Sequence, residues 1–141
     1  MNSKPLAVIL AVLVLIAIVL VFAGQDAAQL RARETLLRDL NVLKPPYRVQ
    51  LNGRDTTEPA AIVAALRAVT TVPAHHSGPD RPFLLDISDG QYNVLVTLAE
   101  DSQRPDEFWV FRTPPKSSPA SLGQEVGRIT DPNLRRYLAG R

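Results

Sequence analysis

From Leu6 to Ala23 the chain has 18 consecutive apolar residues, with no charge and no hydroxyl among them. At 1.5 Å per residue a helix of that length spans roughly 27 Å, close to the roughly 30 Å of hydrocarbon in a bilayer. The run is rich in Val, Ile and Leu, and these residues do not oppose a helix in lipid, where every backbone group must be bonded within the segment. Pro5 opens the run and Gly24 follows it, the usual punctuation of a helix. The pattern predicts a membrane span from Leu6 to Ala23. A cleaved signal peptide is the competing reading, with Met1 to Lys4 as its leader and processing after Ala23. Its apolar region would exceed the usual length of roughly 7 to 15 residues, which favours a retained anchor.

Beyond Gly24 the pattern changes to a mixed one. Leu30, Leu37 and Leu40, with Leu36 and Leu43 beside them, recur at intervals of three, four and seven among charged residues, so Gln25 to Leu43 predicts an amphipathic helix. Pro45 and Pro46 stop it. Two readings of its apolar stripe are open. One is a short coiled coil that forms a homodimer through residues 25–43, using Leu30, Leu37 and Leu40 with Arg33 interrupting the seam. The other is a single helix lying along the bilayer or on its own domain, favoured because the seam covers under three heptads.

After the prolines the period falls to two. Tyr47, Val49 and Leu51 alternate with Arg48 and Gln50 as in a half-buried strand, closed by Asn52-Gly53. A helix follows, with Thr57 as N-cap, Glu58 and Pro59 in its first turn, and Ile62, Leu66 and Val69 along one face up to Pro73. Asp89-Gly90 lies between two apolar runs and predicts a type I′ hairpin. That turn pairs Ser88 with Gln91, Ile87 with Tyr92, Asp86 with Asn93, Leu85 with Val94 and Phe83 with Val96. Phe108 to Arg112 predicts an interior strand, with Trp109 expected in the core among its large apolar neighbours. Thr113 to Ser121, with three prolines and three serines, reads as a loop. Leu122 to Ile129 predicts a weak edge strand, and Asp131-Pro132 opens a last helix seated by Leu134 and Leu138.

These elements define an α+β fold: a transmembrane helix and helical stalk, then a small antiparallel sheet with one helix packed on it, in the order β-α-β-β-β-(β)-α. The expected division is an anchor over 1–24, a stalk over 25–46 ending in Pro-Pro, and an α+β domain over 47–141.

Charge and composition narrow the chemistry. The pI is near 9.3, yet residues 47–141 hold 11 basic and 11 acidic groups, so the domain is neutral and lacks the basic face a nucleic-acid reader needs. With no cysteine there is no thiol nucleophile, disulfide or thiolate metal site. No phosphate loop, dinucleotide fingerprint, kinase signature or zinc-protease helix is present. The pair His75-His76 is the one prompt towards a metal or a hydrolase, with Asp80 and Asp86 as the nearest further ligands. Its spacing matches no metal pattern, and Ser77 beside it forms no triad. Glu100, Asp101, Asp106 and Glu107, around Arg104, lack the alternating ligands and turn glycine of a calcium loop and read as a solvated connection.

The reading is therefore a single-pass membrane protein that displays a non-catalytic domain for binding a protein or assembling an envelope complex, with no cofactor and no nucleic acid. The alternative is a membrane-tethered hydrolase or metal-dependent enzyme using His75 and His76. The interaction surface expected is the sheet face carrying Leu84, Asp86 and Leu95. Arg31, Arg33 and Arg38 after the span outnumber Lys4 before it, which by the positive-inside rule favours a cytoplasmic domain. The four-residue leader resembles a secretory n-region and favours export. On that resemblance the expected location is an inner membrane with the domain on the periplasmic side, and thirteen arginines against three lysines are the bias associated with GC-rich bacterial genomes.

Overall fold

A computed structural model describes residues 4–71, 77–113 and 122–139. One helix, α1 (Lys4–Val42), runs without a break through both the apolar run and the amphipathic segment. It is followed by β1 (Arg48–Leu51), β2 (Arg54–Asp55), α2 (Pro59–Arg67), β3 (Pro79–Ser88), β4 (Asn93–Asp101), β5 (Glu107–Arg112), β6 (Gln124–Thr130) and α3 (Leu134–Leu138). The six strands form one antiparallel sheet in the order β2-β1-β3-β4-β5-β6. The fold is α+β.

Alternation along the strands puts Val49, Leu85, Ile87, Val96, Leu98, Phe108 and Val110 on one face, where they meet Ile62, Val63 and Leu66 of α2 and Leu134 and Leu138 of α3. The second half of α1 belongs to this same core. Ala32, Leu36, Leu40 and Leu43 recur every three or four residues and are buried, Leu36 and Leu40 completely. Burying each of those two leucines contributes about 2 kcal/mol. Polar ties reinforce the seating: the Arg112 guanidinium pairs with Asp39 at 3.2 Å, and Arg67 donates to the Leu40 carbonyl at 2.8 Å, where the helix end would otherwise leave an acceptor unmatched. Residues 32–43 are thus a wall of the domain. The coiled-coil seam loses Leu40 to this core and Leu37 in part, and of its three leucines only Leu30 is exposed.

Three local expectations are corrected. The β3–β4 register is displaced by two residues, pairing Ile87 with Val94, Leu85 with Val96, Phe83 with Leu98, Ser88 with Asn93 and Asp86 with Leu95. The cause is the Asp89 carboxylate, which accepts the Gln91 and Tyr92 amides at 2.9 and 2.8 Å and so closes a longer loop. A displacement of two leaves every side chain on its predicted face. The type I′ geometry occurs instead at Asn52 and Gly53, both at positive φ, and folds the two-residue strand β2 back on β1. Helix α2 starts at Pro59 after Glu58, without a side-chain cap from Thr57, and ends at Arg67, short of Pro73.

Both sheet edges are blunted. β2 is two charged residues long, and β6 is covered by α1 and by Thr70, which exchanges backbone hydrogen bonds with Arg128 at 2.8 and 2.9 Å. Gly127 makes that second contact possible, since a Cβ there would lie 2.4 Å from the Thr70 carbonyl oxygen, at a φ of +151°.

Candidate interaction surface

The core-facing residues of all three helices lie on one side of the sheet, which leaves Leu84, Asp86 and Leu95 together on the other. Asp86 is paired directly with Leu95, and Leu84 with Thr97, so Leu84 and Leu95 are diagonal neighbours. Leu84 is 42% exposed, a high value for a leucine inside a ten-residue strand. Its backbone is pinned by Asn52, which accepts the Leu84 amide through its side chain at 2.9 Å and donates its own amide to the Leu84 carbonyl at 2.8 Å. Asn93 donates its side-chain amide to Asp86. The patch is therefore rigid, with two apolar side chains flanking a carboxylate.

The same face continues into a cluster that sequence reasoning misread. Asp101, expected in a solvated loop, is buried. Its carboxylate accepts the Ser77 hydroxyl at 2.6 Å, and the Trp109 indole and the amides of Gln103 and Arg104 at 2.9 Å each. Burial alone would raise the Asp101 pKa; these hydrogen bonds outweigh it and hold the group at about 2. Glu107 is buried as well, paired with Arg128 at 3.1 Å and Arg104 at 3.2 Å. The chemistry of this loop is structural, two carboxylates tying the β4–β5 turn to the sheet. Trp109 does not join the helix-covered core. It stands half-buried on the opposite face, with the Arg128 guanidinium 3.4 Å from its ring centroid and Phe111 stacked 6.3 Å away. The signal available in the sequence was period two: if Phe108 and Val110 face the helices, Trp109 and Phe111 cannot.

A cleft lies where α1 leaves the domain. Val21, Phe22, Gln25 and Gln29 of α1 face Trp109, Gln124 and Arg128 across a cleft of about 710 Å³. Gln29 donates to Glu125 at 2.9 Å at its margin.

Among the described residues no group of three or more histidine or acidic side chains gathers as a metal site. Asp80 and Asp86 are six residues apart on β3, roughly 20 Å along a strand, too far to share an ion. His75 and His76 lie outside the described residues, as does 114–121, most of the proline- and serine-rich loop. The chain matches no family model, no curated protein and no solved structure.

Proposed function

We propose that this protein is a single-pass membrane protein that holds a small non-catalytic α+β domain against the bilayer for binding a protein partner or assembling an envelope complex. The observation that carries the reading is the continuity of α1. Every described side chain from Ala7 to Ala23 is exposed, although the segment is strongly apolar, and the same helix supplies Leu36 and Leu40 to the domain core. An uncovered apolar helix demands a cover, and lipid supplies one along its whole length. The partner surface is the open sheet face with Leu84, Asp86 and Leu95. We place the domain on the periplasmic side of an inner membrane.

The test begins with topology. The chain has no cysteine, so Gln91→Cys, in the exposed β3–β4 loop, gives one label site. Labelling of intact cells by a membrane-impermeant maleimide, with full-length protein in the membrane fraction, is expected; labelling only after lysis would reverse the orientation. Leu84→Asp and Leu95→Asp are then expected to keep the fold and to lose a partner cross-linked to the wild-type domain. If every cross-linked partner survives both substitutions, the sheet face is not the surface.

A further inference from the structure

The cleft between α1 and β6 has a wall that changes character along its length. Val21 and Phe22 sit at one end, in the last turns of the apolar run, 59% and 63% exposed. One to two turns further on, the amides of Gln25 and Gln29 take over, facing Gln124 and the indole of Trp109 across the gap. The helix is unbroken, so the ten residues from Phe22 to Ala32, the first of its fully packed positions, rise only roughly 15 Å. The headgroup zone of one leaflet is roughly 5 to 8 Å deep. A cleft whose floor includes the last apolar turn therefore straddles the boundary between hydrocarbon and headgroups. Indole rings favour that level, with an apolar body and one polar edge.

We propose that this cleft takes a membrane phospholipid, its acyl chain lying along Val21 and Phe22 and its glycerol and headgroup between Gln25, Gln29, Gln124 and Trp109, so that the domain is seated in the bilayer surface at Trp109 and Gln124. The inference rests on the membrane-anchored reading and adds to it a lipid site and a fixed height for the domain. Lipid is the occupant because the cleft is continuous with the surface of the apolar helix. Its polar lining combines the neutral amides of Gln25, Gln29 and Gln124 with three charged groups: Arg128 and Glu125 are engaged by Glu107 and Gln29, and Asp26 on α1 adds a negative charge that disfavours an anionic headgroup. A site of this kind would select the interfacial zone of a phospholipid without demanding an anionic headgroup.

Trp109 is the only tryptophan in the chain, so its fluorescence reports the cleft directly. The experiment uses the full-length protein in phosphatidylcholine vesicles carrying a nitroxide either near the headgroup or near the end of the acyl chain, with iodide as the aqueous quencher. Flotation of the vesicles first establishes whether the protein is bound to them. The expected result is strong quenching by the shallow nitroxide, weaker quenching by the deep one and little by iodide. Ala28→Phe fills the cleft from an exposed position on the helix wall. It is expected to remove most of the shallow quenching while leaving flotation and the urea midpoint unchanged. Protein that floats but is quenched by iodide and by neither lipid, or whose shallow quenching survives Ala28→Phe, overturns the lipid site alone. Protein that does not float overturns the anchored reading and the lipid site with it.

Discussion

Replacing Leu40 by alanine distinguishes a helix that is part of the domain from one that merely carries it. Leu40 is completely buried in the cluster with Leu36, Leu43 and the sheet, so its truncation removes apolar contacts and leaves a cavity bounded by α1, α2 and the strands. Buried leucine to alanine changes cost about 2 to 5 kcal/mol, and the tight setting here points to about 3 kcal/mol. Leu30, on the same helix and 49% exposed, is the control, and Leu30→Ala is expected to change stability by no more than about 0.5 kcal/mol. The assay is urea unfolding of the full-length protein in detergent micelles, followed by the fluorescence of Trp109. With a urea slope of about 1 to 3 kcal/mol/M, Leu40→Ala lowers the midpoint by about 1 to 3 M and Leu30→Ala leaves it in place. Equal shifts for the two variants, or a Leu40→Ala midpoint indistinguishable from wild type, would refute the assignment of residues 32–43 to the core.

Further expectations follow from the same structure. Gly127→Ala brings a methyl group onto the Thr70 carbonyl and is expected to cost about 2 kcal/mol or more, read as a lowered melting temperature. The folded-state pKa of Asp101 is depressed to about 2, so the carboxylate contributes about 2 kcal/mol that is present above pH 4 or so and lost as pH falls towards about 2. Thermal melts across that range should lose much of their pH dependence in Asp101→Asn, and an unchanged slope would show that the indole, hydroxyl and amide bonds to this group are not what holds it ionised. Gly53→Ala is expected to destabilise the β1–β2 turn by about 1 kcal/mol, because position 53 sits at a φ of +82°.

The elements legible in the sequence were those whose signal is local. The apolar run, the β1 alternation and the Leu134 and Leu138 pair all declare themselves within a few residues. What escaped is set by partners distant in sequence. The short leucine stripe of residues 30–43 favours a single helix over a coiled coil but does not say what that helix lies against, and only the fold shows that its own sheet takes Leu36 and Leu40. Asp89 and Gly90 have the residue types of a two-residue turn, yet the Asp89 side chain captures two amides and lengthens it. Asp101 and Glu107 look solvated in a run of acidic residues because Trp109 is eight positions from Asp101 and Arg128 is 21 from Glu107. The faces on which Leu84, Asp86 and Leu95 lie were read correctly despite the register error, because a displacement by two preserves the pleat.

The unbroken course of α1 has a mechanical meaning. In an anchored protein whose domain hangs from a flexible linker, the domain tumbles freely and samples many heights above the lipid. Here no hinge separates the last apolar turn from Leu36, so tilting the domain means tilting the helix within the bilayer. With that helix in a bilayer, the proposed anchor would make the protein a vane on a rigid mast, its height and tilt set by those of the helix. A partner for the face carrying Leu84 and Leu95 would have to present its own surface within the few nanometres next to the membrane, which favours a neighbour that is itself confined there over one arriving from solution.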